Sequence, residues 1–247
     1  MNTDQVIEQT VLQGRQLSKT EEACLCIMVK KDYKLIEEQQ ELLEKGLIFR
    51  LTREDACKLL AKYVKDGRRL EEKNHPALFE VDNAEELVRT YFRTWSLSDA
   101  AEMKLFELDP TGKLAVEYSE HSAFGEEAEL KFMTLPGIVE AQRRYVARGP
   151  ISAKTRNKLL ESVYGEEFIL QELELRRIFA ATTQVKMLSV PRAHEWMKRY
   201  TNYAKLAESA QMKLFKMAKP KKMVRRYDSR QGLCEKAKEL AEKNGWL

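Results

Sequence analysis

The stretch PRAHEWMKRYTNYAKLAESAQMKLFKMAKPKKMVRR, residues 191–226, sets the first expectation for the fold. Trp196, Tyr200, Tyr203, Ala207, Ala210, Leu214 and Met217 recur at steps of four and three, the spacing of one stripe on a helix. That spacing predicts one long helix over 191–217. Pro220 ends it, because proline interrupts the hydrogen-bond ladder and disfavours helix in the residue before it. A basic tail, 219–226, follows. From Arg192 to Arg226 there are eleven cations: Arg192, Lys198, Arg199, Lys205, Lys213, Lys216, Lys219, Lys221, Lys222, Arg225 and Arg226. Only Glu195 and Glu208 oppose them, so the window nets +9.

A second basic window runs from Arg143 to Lys158. It holds Arg143, Arg144, Arg148, Lys154, Arg156 and Lys158 with no acid, a net of +6. The whole chain carries only +4, so the remainder is acidic at −11. Segregation of this kind speaks to partners rather than to fold.

Working outward, 247 residues suffice for one large or two small domains, and a charged share of 33% suits a helix-rich protein with a solvated surface. Ser18 with Glu21 makes a capping box before a helix over 19–31. A charged helix over 33–45 stops at Gly46, and 47–51 (LIFRL) suits a short strand. Thr52 with Asp55 opens a helix over 53–66, and Asp82 with Glu85 one over 83–95; residues 77–81 between them suit a strand. In the middle, 103–108, the turn Asp109-Pro110-Thr111-Gly112, and 113–119 read as a β-hairpin, with 129–135 a third strand. Helices follow over 136–149, 153–164 and 166–182, and the last over 231–244. No repeat at a fixed period stands out. The expected fold is therefore mainly α-helical (α+β): an acidic helical region 1–100, a small antiparallel element 101–135, and a basic helical region 136–247.

Three sites follow. Residues 137–165 resemble a helix–turn–helix, whose second helix presents Lys154, Arg156, Asn157 and Lys158 near its N-terminus, as phosphate and base-edge contact requires. The long helix and tail offer cations for phosphates, with Trp196, Tyr200 and Tyr203 either stacking on bases or packing in a core. Third, Asp109 or Glu117, then Glu129 and Lys131 on a strand, then a helix with Gln142 and Tyr145, has a layout similar to PD-(D/E)xK nucleases. That likeness implies a divalent ion held by carboxylates and a lysine that activates water. The Pro-Asp element of that layout is absent, and Glu-x-Lys also occurs at Glu71–Lys73 and Glu102–Lys104.

Cys24, Cys26, Cys57 and Cys234 form no CxxC or Cys/His cluster, so unpaired thiols in a reducing compartment are expected, with no metal and no cofactor. The polar N-terminus and the lack of any long apolar run point to an intracellular, cytoplasmic protein that does not span a membrane; Lys219-Pro220-Lys221-Lys222 has the composition of a nuclear-import patch should the source be eukaryotic. The expected function is non-enzymatic nucleic-acid binding within a larger assembly, DNA or RNA, with the N-terminal half meeting protein partners or other copies. The alternatives are an adaptor whose basic face meets an acidic protein, and a metal-dependent nuclease.

Overall fold

The computed structural model describes residues 2–33 and 50–247, and every regular element in them is helical. The chain divides into two compact units, residues 1–128 and 129–247. The first holds α1 (Thr3–Leu12), α2 (Lys19–Met28), α3 (Arg53–Lys65), a 3-10 helix (Glu72–Phe79), α4 (Ala84–Phe92), α5 (Asp99–Leu108), α6 (Lys113–His121) and the start of α7 (Glu126–Thr134). The second continues with α8 (Val139–Arg148), α9 (Ala153–Leu159), α10 (Glu166–Glu174), α11 (Ala181–Met187), α12 (Ala193–Tyr200), α13 (Glu208–Leu214), α14 (Pro220–Gln231) and α15 (Glu235–Lys243).

The central β-hairpin is not there. Residues 103–119 are the end of α5, a turn, and α6, while 129–135 fall largely in α7. Buried positions decide the matter: Ala101, Leu105 and Phe106 in α5, and Leu114, Ala115 and Tyr118 in α6, follow steps of one, three and four rather than two. The turn chemistry was legible, but it joins helices. Gly112 takes φ +79°, and the Asp109 carboxylate accepts from the Thr111 N–H (3.0 Å) and the Leu114 N–H (2.8 Å), which starts α6. The strand expected at 77–81 is likewise replaced, by the 3-10 helix and the turn after it. The helix expected at 33–45 and the strand at 47–51 fall mostly on 34–49, outside the described residues.

The long helix 191–217 is two helices, α12 and α13, separated by residues 201–207. No Gly or Pro stands in that gap; side chains from elsewhere stop the helix. Tyr227 Oη accepts from the Leu206 N–H (3.0 Å) and Gln184 Oε1 from the Ala207 N–H (2.6 Å), taking donors that a continuous helix would give to its own carbonyls. The tail 219–226 is helical too. Lys219 is left-handed (φ +56°), and Pro220 opens α14 at the first helical position instead of ending a helix. The segment 166–182 is also broken, at the left-handed Arg176.

This interruption recurs throughout the chain, and it reveals a repeat that residue identities conceal. His75, Glu102, Glu129, Arg156, Gln184 and Gln211 are spaced by 27 residues, once by 28. In five of the six, the side chain accepts from the backbone N–H 23 residues on: Ser98 to His75 Nδ1 (2.8 Å), Gly125 to Glu102 (2.7 Å), Ser152 to Glu129 (2.8 Å), Ala207 to Gln184 (2.6 Å) and Cys234 to Gln211 (2.7 Å). Sixteen residues after each comes Tyr91, Tyr118, Tyr145, Glu172, Tyr200 or Tyr227. Four of these tyrosines and Glu172 accept from the N–H 21 residues before them, at 3.0–3.3 Å: Leu70, Leu97, Ile151, Phe179 and Leu206. Glu22 and Tyr63 make the same contacts near the N-terminus, with Glu71 and Leu17.

Each repeat is thus a helical hairpin whose ends are locked by one polar clamp. First helices pack on first helices (α2, the 3-10 helix and α5; separately α9, α11, α13 and α15). Second helices pack on second helices (α3, α4 and α6; separately α8 and α10). Each unit is a two-layer stack around a core that includes the fully buried Tyr63, Tyr91 and Tyr118 in one and Tyr200 and Tyr227 in the other. Burial pushes the Tyr63 and Tyr91 phenols up to about 12.

Candidate nucleic-acid interface

Residues 1–128 hold 18 Lys/Arg and 26 Asp/Glu, while 129–247 hold 25 and 13, giving net charges of −8 and +12. Within the second unit the two layers sort the expected cations onto different faces. Lys158 and Lys213 belong to the first-helix layer, and Lys216 lies in the connector between α13 and α14. Lys198 and Arg199 on α12, and Lys221, Lys222, Arg225 and Arg226 on α14, belong to the second. Lys205 lies between α12 and α13, and Lys219 just before α14.

Not every expected contact residue is available. Arg156, placed by sequence at the tip of a recognition helix, is 4% exposed; its Nε donates to Glu172, itself fully buried, and its guanidinium lies 4.6 Å from the Phe179 ring centroid. It is a clamp residue and presents nothing to a ligand. Asn157 on the same helix is half-buried. Arg143 pairs with Glu167 (2.6 Å) and Glu140 (3.8 Å), which raises its pKa, and Lys158 pairs with Glu161 (3.7 Å). Arg148 sits over the Tyr145 ring at 5.8 Å. Arg144 and Lys154 are exposed.

The cations of α12 and α14 are the ones brought together. α12 buries Ala193, Trp196, Met197 and Tyr200, and α14 buries Met223, Val224 and Tyr227, so both turn their charged faces outward. The two helices are joined side by side: Arg226 donates to His194 Nε2 (3.2 Å), Arg230 to Asn202 Oδ1 (3.3 Å), and Gln231 to the Thr201 carbonyl. The outer face so built carries Lys198, Arg199, Lys221, Lys222, Arg225, Arg226 and Arg230. Glu195, 3.5 Å from Arg199, is the acid exposed among them. Arg230 lies just outside the sequence window ending at 226.

The repeat explains why these charges are surplus. Elsewhere, carboxylates neutralise the cations of the neighbouring hairpin: Arg89 meets Glu117 (2.6 Å), Lys104 meets Glu80 (3.8 Å), Arg143 meets Glu167, and Arg192 meets Glu166. Eleven residues after the clamp position the chain places Glu86, Lys113, Glu140, Glu167 and Glu195, then Lys222. Five residues after it come Glu80, Glu107, Thr134, Glu161 and Ser189, then Lys216. The last complete hairpin therefore puts cations where its predecessors mostly put acids, and Lys221, Lys222 and Lys216 have no carboxylate partner among the described residues.

The aromatics did not join this face. Trp196, Tyr200 and Tyr227 are core, and Tyr203 donates to the Arg177 carbonyl (3.1 Å). The residues of the nuclease-like layout are likewise engaged. Asp109 starts α6, Glu117 pairs with Arg89, and Glu129 is 4% exposed in its clamp; Lys131 is exposed. Among the described residues no group of three or more His, Cys, Asp or Glu is placed to hold a metal ion, all four cysteines are unpaired, and no helix is long and apolar enough to cross a membrane.

Fold and surface together define a helical-repeat protein with a basic face on its second unit. No family model, curated protein or solved structure matches the chain.

Proposed function

We propose that this protein binds the phosphate backbone of a nucleic acid through the outer face of α12 and α14, as a non-catalytic component of a nucleoprotein assembly. The observation that carries the reading is the gathering of seven cations on two adjacent helices with a single exposed acid among them. A polyanion that displaces counterions from such a face binds with a strong salt dependence. Lys213 lies on the opposite layer, so the binding set is narrower than charge counting along the chain suggests.

The test is a titration of labelled nucleic acid across salt. Reversing Lys221, Lys222, Arg225 and Arg226 to Glu flattens the dependence of log K on log salt. An unchanged slope removes α14 from the interface. A second reading, an adaptor for an acidic protein, draws on the repeat architecture, since stacked hairpins present extended surfaces suited to protein partners. Size-exclusion chromatography before and after nuclease treatment separates the two, because the nucleic-acid binder carries ultraviolet-absorbing material that nuclease removes.

A further inference from the structure

We infer that the α12–α14 face takes a duplex, gripping the phosphates of both strands beside one groove without reading base sequence; this rests on the backbone-binding reading above. Three features of the face support it. First, it offers no surface for stacking. Binding of single strands draws on aromatic side chains that receive unpaired bases, yet Trp196, Tyr200 and Tyr227 are buried, and Trp246, whose carbonyl accepts from Arg225, is already stacked on Phe215 at 5.3 Å and 12°.

Second, the cations stand on two helices. Lys198 is on α12 and Lys222 on α14, and the Arg226–His194 contact ties the two helices together. A duplex borders each groove with two phosphate rails, and charge supplied by two neighbouring helices can meet both. A single strand supplies only one rail.

Third, the face is too broad to read bases. One helix with its side chains is about 10–12 Å across and fills a major groove about 12 Å wide. Two helices tied together by Arg226–His194 and Arg230–Asn202 cannot enter it. Asn202, the amide best suited to a base edge, is already accepting from Arg230.

The experiment uses the full chain and labelled 20-mers: duplex DNA, duplex RNA, the component single strands and a scrambled duplex, titrated by fluorescence anisotropy at several salt concentrations. Either duplex form binding at least ten-fold tighter than its strands, with the scrambled duplex within about three-fold, is the expected result. Lys198→Glu on α12 and Lys222→Glu on α14 each reduce the log–log salt slope by about 1, while Lys213→Glu on the opposite layer leaves it unchanged; circular-dichroism melts confirm that each variant is folded. Single strands binding as tightly as duplex, or a silent Lys198→Glu, overturn the duplex inference and leave backbone binding standing. Absence of binding to every nucleic acid, whether or not polyglutamate binds, overturns both.

Discussion

The clamp at Arg156 and the clamp at Gln184 occupy equivalent places in successive hairpins of one unit, and they solve the same problem with different chemistry. At Gln184 every contact is neutral. Its Nε2 donates to Tyr200 Oη (3.2 Å) and the Phe179 carbonyl (2.8 Å), and its Oε1 accepts from the Ala207 N–H. At Arg156 a cation and an anion replace the amide and the phenol: Glu172 accepts from the Ile151 N–H (3.2 Å) as a tyrosine does elsewhere, and its other oxygen takes Arg156 Nε. Arginine has no acceptor, so this clamp cannot receive the backbone donor of the following hairpin. It is followed by the one 28-residue spacing and the left-handed Arg176. Geometry at this position is fixed while polarity is free, and an arginine in a basic stretch is therefore no guide to ligand contact.

Glu172→Ala is the harshest way to break the comparison. It strands a buried guanidinium, and we expect a loss of about 3–5 kcal/mol in urea unfolding. Installing the neutral pair, Arg156→Gln with Glu172→Tyr, brings stability back to within about 1–2 kcal/mol of the natural protein. A double variant as unstable as Glu172→Ala alone shows that the clamps are not interchangeable. Gln184→Ala leaves the Ala207 N–H without its acceptor and the Phe179 carbonyl without its donor, at about 1–3 kcal/mol.

The first unit sharpens the same contrast through pH. Burial raises the Glu102 pKa above the usual carboxylate range, ahead of the opposing hydrogen bonds from Tyr118 and Gly125. The folded state then holds the proton more tightly than the unfolded chain, so stability falls as pH rises through the ordinary Glu range towards the folded value. Glu102→Gln reproduces the Gln184 arrangement. It should match or exceed natural stability by about 1 kcal/mol at pH 7, with the difference vanishing in acid; a variant less stable at pH 7 contradicts the equivalence.

His75 gives the smallest effect and the opposite sign. Its Nδ1 accepts from the Ser98 N–H, which places the proton on Nε2, facing Tyr91 Oη (2.9 Å), and burial lowers its pKa. The unfolded chain takes up the proton first. Stability is complete above the ordinary histidine range near pH 6.5 and declines as pH falls towards the folded value, levelling off below it. His75→Gln removes that decline, and thermal melts between pH 5 and 8 measure it.

Much of the helical content was legible because its signals are local. Ser18 closes a capping box with Glu21, Thr52 accepts from Asp55, and Ser152 caps α9. The misread boundaries have tertiary causes. Leu206 and Ala207 leave the helix because Tyr227 and Gln184 take their N–H groups, and nothing between 201 and 207 announces it. The repeat is hidden in the sequence because its marker position reads His, Glu, Glu, Arg, Gln, Gln, residues alike in reach and unlike in kind. The basic windows were read correctly as charge, but Arg156 and the buried aromatics show that a one-dimensional window does not separate faces.

The short span of the locks bears on how the chain is made. Apart from the first, in which Glu22 waits for Glu71, each lock joins residues no more than 23 apart. A nascent polypeptide can therefore secure one hairpin soon after it leaves the ribosome, while later segments are still being translated. Beyond that first lock, contacts this short in sequence let folding advance hairpin by hairpin.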